Sequence, residues 1–333
     1  MSPGIVRFGI LGAARIAPAA LIRPAAANPE ATVEVVAARD PGRARAYAAR
    51  HGIPRVAEDY DAVVSDPDID AVYVPLPNSE HGRWTLTALA AGKHVLCEKP
   101  FTANAEEAGR VAEAAREAAR SAGLVTAEAF HYRHHPLAQR MQAVVRSGEL
   151  GRIRDIEAWL CAPIPNRRDI RYQHALAGGA MMDMGCYVVN MVRMLTGAEP
   201  TVRSARAKLH DPQVDRAMTA ELAFPGGITG TVHCSMWSTS LLHVAARATG
   251  TAGTLRVLNP VGPQALSVLR VRSARGRHRE VPVRRPTYAF QLDAFCEAVL
   301  RGGTLPTTAD DAVANMSVID AVYEAAGLRP RGV

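Results

Sequence analysis

The chain opens with an apolar run that passes into a turn of small residues: Ile5-Val6-Arg7-Phe8-Gly9-Ile10-Leu11-Gly12-Ala13-Ala14-Arg15-Ile16-Ala17. The run predicts a buried strand, and a helix is predicted to begin near Arg15. Such a turn lets backbone N–H groups approach a pyrophosphate at a helix N-terminus, although small residues also suit close packing. The strict dinucleotide fingerprint has glycine at positions 14 and 17, where this chain has alanine. The predicted cofactor-binding residues of the turn are Gly12, Ala13, Ala14, Arg15 and Ile16.

The first 130 residues continue to alternate short apolar runs with helical stretches, which is typical of βαβ units that build a parallel sheet. Further strands are predicted at Val33–Ala38, Asp70–Val74, His94–Cys97 and Leu124–Ala129. The longest helix is predicted from about Asn104 to Ser121, with Gly123 just past its end. We therefore predict an α/β fold in which residues 1–128 form a doubly wound Rossmann domain.

Beyond residue 128 the pattern changes to strands joined by short turns. The predicted strands are Arg152–Cys161, Thr201–Lys208, Met218–Phe224, Ile228–Ser235, Val244–Thr249 and Leu266–Val271. The predicted helices are Leu137–Arg146, Ala180–Leu195, Ala289–Leu300 and Asp310–Ala326. Pro225-Gly226-Gly227 between two strands is a hairpin signal. We predict that residues 129–333 form an α/β substrate-binding domain with a large open, mainly antiparallel sheet. Its open face is expected to pack against another subunit in a homodimer or homotetramer.

The composition excludes several classes of protein. Hydrophobic residues make up 48 % of the chain and charged residues 21 %, as in ordinary globular proteins. Without a long apolar run or a clear signal peptide, no membrane association is expected. Five scattered cysteines with no C-x-x-C pair argue against disulfides and zinc and favour the reducing cytoplasm. The net charge of +7 derives from arginine, since Lys93, Lys99 and Lys208 are the only lysines.

The end of the second predicted strand bears on cofactor choice. Sites for NAD usually carry an acidic residue there, which accepts hydrogen bonds from the ribose. This chain has Ala38 in that position, followed by Arg39. Because a guanidinium suits the 2′-phosphate, NADP(H) is favoured. NAD(H) stays open, since a one-residue shift would let Asp40 face the ribose; the alternative role for Arg39 is a solvated loop arginine.

Two more polar clusters follow strands of the same predicted sheet, 75–81 (PLPNSEH) and 97–100 (CEKP). Open α/β sheets bind ligands at the carboxyl ends of their strands. A lysine retained in an arginine-rich chain also hints at chemistry, because arginine cannot release its proton. Further cofactor contacts are therefore predicted from Pro75, Leu76, Asn78, His81, Glu98 and Lys99.

These motifs, together with residues 178–187 (GGAMMDMGCY), resemble those of the Gfo/Idh/MocA family, which includes glucose–fructose oxidoreductase and inositol dehydrogenase. The resemblance spans both predicted domains. It implies an NAD(P)-dependent oxidoreductase that acts on the CH–OH or C=O group of a sugar, polyol, diol or keto-sugar. It also implies that Lys99 is the active-site lysine and that Asp183 and Tyr187 face it across the domain cleft.

The chain departs from many relatives in having Tyr187 where they have histidine and Asn190 where they have aspartate. The tyrosine resembles the glucose–fructose oxidoreductase, dihydrodiol dehydrogenase and sugar ketoreductase branches more than the inositol dehydrogenase branch. A tyrosine, whose ordinary pKa is about 10, is a poor base at neutral pH, but a nearby ammonium lowers that pKa. Tyr187 is thus the expected proton donor and acceptor, Lys99 its activator, and Asp183 the group that orients the substrate or Lys99. The alternatives are a surface tyrosine and, for the whole chain, a catalytically silent cofactor-binding sensor or regulator.

Three histidines lie between residues 131 and 135, but adjacent histidines seldom reach one ion and no partner has zinc-like spacing. No metal is therefore expected. The segment follows a predicted strand, so His131 and Arg133 are predicted to contact the substrate. Arg168, in the loop ahead of the glycine-rich motif, is a third candidate, with an exposed loop as the alternative.

Arginines are concentrated between residues 270 and 285. No interleaved aromatic residues or known nucleic-acid module accompany them, so no nucleic-acid partner is expected. A solvated strand edge, where charge discourages unwanted pairing, is the predicted role.

Overall fold

The structure is a computed structural model that describes residues 4–239 and 241–332, so the ends of the two predicted domains, residues 1–3 and 333, lie outside it. Contacts within the chain divide it into two compact units. The first unit comprises Met1–Thr102, Glu106–His131 and Tyr288–Val313, and the second comprises Ala103–Ala105, Tyr132–Thr287 and Ala314–Val333. This division assigns residues 288–313 to the first unit, whereas a single boundary after residue 128 assigns them to the second.

The first unit contains a six-stranded parallel sheet with the order β3-β2-β1-β4-β5-β6. Its strands are β1 (Val6–Leu11), β2 (Ala31–Ala37), β3 (Arg55–Val56), β4 (Ala71–Val74), β5 (His94–Cys97) and β6 (Thr126–Glu128). The helices among them are a π-helical turn (Pro18–Ile22) that runs into α1 (Arg23–Ala26), then α2 (Pro41–His51), α3 (Tyr60–Val64), α4 (His81–Ala90) and α5 (Ala105–Ala122). The predicted doubly wound Rossmann fold is confirmed. The sequence pattern misses β3, because its two residues are exposed and form no apolar run.

The second unit contains an eight-stranded sheet with the order β14-β13-β12-β11-β7-β10-β9-β8, antiparallel except where β7 pairs with β10. Its strands are β7 (Ile153–Cys161), β8 (Thr201–Asp211), β9 (Val214–Phe224), β10 (Ile228–Ser235), β11 (His243–Gly250), β12 (Gly253–Leu258), β13 (Val268–Ser273) and β14 (Gly276–Glu280). The helices between Tyr132 and Thr196 are α6 (Pro136–Arg146) and α7 (Cys186–Thr196). The predicted mainly antiparallel sheet is confirmed, as is the turn at Pro225–Gly227 between β9 and β10.

Strand β14 accounts for part of the arginine concentration. It is the edge strand of the sheet, and Arg277 and Arg279 in it are exposed. The predicted solvated strand edge is therefore confirmed. The strand itself is not predictable from apolar alternation, because all of its side chains are polar.

The chain ends with helices α8 (Thr287–Arg301) and α9 (Ala309–Ala325). The apolar side of α8 packs into the core of the first unit, where the rings of Phe295 and Phe8 lie 5.7 Å apart. Leu292 and Cys296 join the same core. A helix that is distant in sequence therefore completes the packing of the parallel-sheet unit.

The segment His174–Thr196 is long and apolar enough to cross a membrane by length and composition. Its most apolar window is 83 % buried inside the protein, as in the core helix of a globular unit.

Candidate active site

The turn after β1 follows a path that requires glycine. Gly12 has φ +98°, and its N–H donates to the carbonyl of Ala37 at 2.7 Å. A Cβ at this position would lie 3.1 Å from Cδ2 of Leu76, so the loop after β4 lies directly against the turn. The helix begins at Pro18, directly after the helical N-cap Ala17, rather than near Arg15 as predicted: proline suits the first position of a helix, and residues 13–16 precede it outside the helix. Arg15 and Ile16 are consequently exposed.

Two side chains of α2 hold the carbonyls of this turn. The Arg43 guanidinium donates to the carbonyl of Ala13 at 2.8 Å, and the Tyr47 hydroxyl donates to that of Ala14 at 2.9 Å. Burial raises the pKa of Tyr47 to about 12, so its hydroxyl stays a donor at neutral pH. These hydrogen bonds fix the two carbonyls on one side of the turn. Because the side chains of the turn are small, its other side is open to a ligand.

Asp40, the acidic residue that could instead face the ribose, is engaged in capping a helix. The Asp40 carboxylate accepts the N–H of Arg43 at 2.6 Å and thereby caps the N-terminus of α2. Arg39 is exposed and directly follows the buried Ala38. Burial raises the pKa of Tyr60, and the nearby positive charges of Arg39 and Arg43 oppose this rise. A glycine cradle with a cationic rim fits a dinucleotide that carries an extra phosphate.

His81 joins two of the predicted loops. It is 1 % exposed, and its Nδ1 and Nε2 lie 2.7 Å and 2.8 Å from the carbonyl oxygens of Pro100 and Leu76. Two acceptors favour a charged ring, but burial outweighs them and, with the nearby Lys99, lowers the pKa of His81 to about 4. Because the ring nitrogens face backbone, His81 holds the loops together; its predicted contact with a cofactor stays a prediction.

The loop that carries Lys99 is fixed by buried partners on neighbouring strands. The carboxylate of Glu98 accepts the Tyr73 hydroxyl at 2.6 Å, and the N–H of Phe101 donates to Glu128 at 2.9 Å. Lys99 itself is half-buried. The first unit thus brings the Gly12 turn, the Leu76 loop and the Lys99 loop together at the carboxyl edge of its sheet. That edge is where ligands bind in such sheets.

In the second unit, Asp183 lies in a π-helical turn, Met181–Gly185, that leads into α7. Its Oδ2 lies 2.8 Å from Nε of Arg171, which also reaches Asp169 at 2.9 Å. The charge of Asp183 is the largest cause of the raised pKa of Arg171. Sequence reasoning did not single out Arg171, because nothing in its loop distinguishes it from Arg168.

The predicted substrate residue Arg168 is exposed, and its bonds in this loop run through its backbone: its N–H donates to the Asn166 side chain at 3.1 Å. Its carbonyl accepts from Gln173 at 3.3 Å. Its contact with substrate stays a prediction.

A buried charged cluster holds the start of the Asp183 turn. Asp215 accepts from Arg331 at 2.9 Å, from the Tyr323 hydroxyl at 2.9 Å and from the N–H of Met181 at 2.7 Å. Both charged residues are no more than 1 % exposed. Gly179 has φ +140°, and a Cβ there would lie 2.2 Å from Oδ1 of Asp215. The cluster therefore explains why the motif needs glycine at this position.

Tyr187 is 6 % exposed, which contradicts the alternative of a surface tyrosine. Its ring centroid lies 6.0 Å from that of Tyr132. The fully buried Asn190, one turn further along α7, accepts from the Tyr132 hydroxyl at 2.7 Å and from Arg133 at 3.2 Å. The second unit therefore places Arg133 beside the helix that carries Tyr187. The catalytic and substrate-binding roles of these residues stay predictions.

Two histidines of the histidine-rich segment have contacts in packing and capping. The His131 ring packs at a tilt of 41° against Tyr288 with centroids 4.1 Å apart, and Nδ1 of His135 accepts the N–H of Leu137 at 3.1 Å. The predicted contact of His131 with substrate stays a prediction. Burial lowers the pKa of His134 to about 4. Within residues 4–239 and 241–332, no group of three or more His, Cys, Asp or Glu side chains is arranged to hold a metal ion.

Comparisons with known proteins agree with this architecture. Residues 6–124 match the GFO/IDH/MocA oxidoreductase family with an NAD-binding Rossmann fold, and residues 138–256 match the GFO/IDH/MocA C-terminal domain. D-xylose 1-dehydrogenase (NADP(+)) 2 of Haloferax volcanii is 36 % identical over 323 residues, covering 96 % of this chain and 97 % of that protein. Trans-1,2-dihydrobenzene-1,2-diol dehydrogenase of Sus scrofa is 35 % identical over 257 residues, covering 76 % and 72 % of the two chains.

The fold also matches solved structures. KijD10, a 3-ketoreductase from Actinomadura kijaniata in complex with NADP and TDP-benzene, superposes with a TM-score of 0.88 at 30 % identity, covering 97 % of this chain and 98 % of that one. The resemblance of the motifs, the two matched domains and these similarities agree. This chain belongs to the GFO/IDH/MocA family of NAD(P)-dependent oxidoreductases.

Proposed function

We propose that this enzyme transfers a hydride between NADP(H) and a sugar, polyol, diol or keto-sugar, with Lys99 and Tyr187 in acid–base roles. The observation that carries the proposal is the joint presence of Lys99, Asp183 and Tyr187, with Lys99 and Asp183 on segments fixed by buried partners. The relatives named above are a D-xylose dehydrogenase, a dihydrobenzenediol dehydrogenase and a 3-ketoreductase, which supports oxidoreduction of a sugar or diol class of substrate here.

NADP(H) would be held by the Gly12 turn and the cationic rim beside it. When bound, this cofactor supplies or accepts the hydride at its nicotinamide ring. Arg39 would bind the 2′-phosphate, because Asp40 is engaged as a helix cap. Replacing Arg39 by aspartate should lower kcat/KM for NADPH at least about tenfold while changing that for NADH far less. Arg50→Asp, an equal charge change at an exposed position of α2, is the matched control.

Three side chains would transfer the proton, stabilise the developing charge and orient the substrate. In the direction of reduction, the Tyr187 hydroxyl would donate its proton to the substrate oxygen as that oxygen gains negative charge. The Lys99 ammonium would stabilise both the developing alkoxide and the phenolate left on Tyr187. Asp183, paired with Arg171, would orient a substrate hydroxyl. In the direction of oxidation, the phenolate would take the proton back.

The experiment is an activity and fluorescence screen of sugars, polyols, diols and keto-sugars with NAD(H) and NADP(H) in parallel, followed by Lys99→Ala on the best substrate. We expect a loss of about 10²-fold or more in kcat, with NADPH affinity nearly unchanged. Arg120→Ala, which removes an exposed arginine of α5, controls for the general effect of removing a cationic side chain. Near-wild-type turnover of Lys99→Ala contradicts the proposal. Tight NADPH binding without turnover on any substrate would favour the silent sensor instead.

We also propose that the chain forms a homodimer or homotetramer through the open face of its large sheet. The Trp159 ring stacks between His233 and His243, with centroids 5.5 Å and 5.1 Å apart, on one face of that sheet. Large aromatic side chains on a partly open face are typical of subunit contacts. Light scattering after gel filtration tests this; a monomer contradicts it. A cytoplasmic location stays a prediction.

A further inference from the structure

An arginine of the loop ahead of the turn that carries Asp183 lies between two carboxylates. Nε of Arg171 lies 2.8 Å from Oδ2 of Asp183, and Nη1 of Arg171 donates to Oδ1 of Asp169 at 2.9 Å. The arginine side chain is 35 % exposed, the Asp183 side chain 15 % and the Asp169 side chain 7 %. One half-buried cation therefore joins the predicted catalytic carboxylate to an acid of its own loop.

Asp169 fixes the position of this arginine. Its carboxylate accepts the backbone N–H of Arg171 at 3.1 Å as well as the guanidinium, and it caps the short helical turn Ile170–Tyr172. The backbone and the head group of Arg171 are thus bonded to the same buried carboxylate. This arrangement limits the directions in which the guanidinium can point.

The backbone of Arg171 is also joined to the segment that carries Asp183. The carbonyl of Arg171 accepts the N–H of Gly179 at 2.8 Å, and the carbonyl of Gly179 accepts the N–H of Asp183 at 3.0 Å. A Cβ at Gly178 would lie 2.6 Å from the carbonyl oxygen of Arg171, so the two segments approach more closely than a side chain allows. The ion pair therefore spans two segments whose backbones are already held together.

A carboxylate that orients a substrate hydroxyl must point its oxygens in one direction. An aspartate side chain without a partner can exchange between staggered rotamers. A misplacement of about 1 Å in an active site can cost about 10²-fold in rate. Exposed ion pairs contribute little, because water and salt screen them, but partly buried pairs are screened much less. The pairing with Arg171 therefore restricts the rotation of the Asp183 side chain.

We propose that Arg171 is a positioning residue, which through its ion pair fixes the direction in which Asp183 presents its carboxylate to the substrate. Asp169 fixes Arg171 in turn. This inference rests on the proposed function, in which Asp183 orients a substrate hydroxyl. Arginine suits the role, because its planar guanidinium presents several N–H groups in a fixed fork and so pairs with two acids at once, whereas lysine supplies a point charge.

The first test needs no turnover. Crystal structures of the wild type and of Arg171→Met, which removes the charge but keeps a long side chain, should differ at Asp183. We expect the Asp183 side chain to adopt another rotamer or several rotamers in the variant, while the backbone of α7 and of the turn before it is unchanged. An Asp183 carboxylate in its wild-type position overturns the inference, whatever the activity of the enzyme.

The second test uses the best substrate of the screen described above. Arg171→Met should lower kcat/KM for that substrate at least about tenfold, through both a raised KM and a lowered kcat, with NADPH affinity unchanged. A merely structural role would reduce the amount of active enzyme, and so would lower kcat without changing KM. Arg171→Lys should recover part of the loss, because it restores the charge without the fork. Arg167→Met, at an exposed arginine of the same loop, is the matched control and should behave like the wild type.

A double-mutant cycle shows whether Arg171 acts through Asp183. Asp183→Asn alone should lower kcat/KM, and Arg171→Met added to it should change kcat/KM by no more than about twofold. Asp169→Asn, which weakens the hold on the guanidinium, should give a smaller loss than Arg171→Met. Thermal unfolding of every variant checks that each is folded at the assay temperature.

Three kinetic results also overturn the inference: a wild-type kcat/KM in Arg171→Met, a loss confined to kcat, or losses that multiply in the double variant. Failure of the proposed function is distinct from these, because the wild type then turns over no substrate or Asp183→Asn retains full activity. In that case the crystal structures still decide whether Arg171 directs the Asp183 carboxylate.

Discussion

The Lys99 loop (residues 98–101) carries one predicted catalytic side chain and the Asp183 segment (residues 178–187) carries two, Asp183 and Tyr187, but the loop and the segment are held in different ways. Bonds to the Lys99 loop come from β4, β6 and the first residue of α4, 19 to 27 residues away in the chain. Bonds to the Asp183 segment come from Asp215 and Arg331, 34 and 153 residues away. The edge of a parallel sheet supplies supports from adjacent strands, whereas the start of α7 depends on a dedicated buried charged cluster.

The largest effect should come from breaking that cluster. Asp215→Asn leaves the Arg331 guanidinium buried without a compensating charge, which should cost about 3–5 kcal/mol of unfolding free energy. Urea denaturation of wild type and variant measures the difference. Asp211→Asn, at the exposed end of β8, should cost about 1 kcal/mol. Equal losses in the two variants would show that charge does not hold the Asp183 segment.

A smaller effect should come from crowding the same cluster. Gly179→Ala forces a Cβ against Asp215 and Tyr323 at a positive φ. Gly226→Ala is the matched control, because it has φ +75° with open space and should show only the backbone cost of about 1–2 kcal/mol. Gly179→Ala should cost about 1–3 kcal/mol beyond that control. If denaturation gives both alanine variants the same stability, the close approach of the cluster is wrong.

The smallest effect concerns the Lys99 loop and its pH dependence. The folded-state pKa of His81, about 4, lies below the ordinary value near 6.5, so folding favours the neutral ring. This contribution to stability is complete above about pH 6.5 and is lost as the pH falls through 4. The stability difference between wild type and His81→Asn should therefore shrink by about 1–2 kcal/mol from pH 7 to pH 5. A ring that titrates at or above 6.5 by NMR would show that its two carbonyl acceptors outweigh burial.

Much of the fold was predictable because its signals are local. The apolar runs before Gly12, Pro75 and Glu98 identify β1, β4 and β5, and the parallel order follows from the alternation with helices. Strand β14 was not predictable, since an edge strand exposed to water needs no apolar residues. The packing of α8 in the first unit could not be predicted either, because the sequence of an amphipathic helix does not identify the core that it covers.

The family and the enzyme class were predictable because motifs carry them. The preference for NADP(H) stays a proposal, which the NADP complex of the 3-ketoreductase supports. The residues that hold the site in place were not predictable. Arg331 lies near the end of the chain among other arginines, and Asp215 lies in a strand, so neither carries a signal of its contact with Gly179. Long-range pairs of this kind appear only when the chain is folded.

The most direct test of the account is a single-turnover measurement with NADPH-loaded enzyme in excess over a keto-substrate. Tyr187→Phe should slow the oxidation of NADPH at least about 10²-fold with NADPH affinity unchanged. Tyr132→Phe, which removes the hydroxyl of the neighbouring ring, should have a far smaller effect. A rate in Tyr187→Phe equal to that of wild type would contradict the assignment of the proton to this hydroxyl.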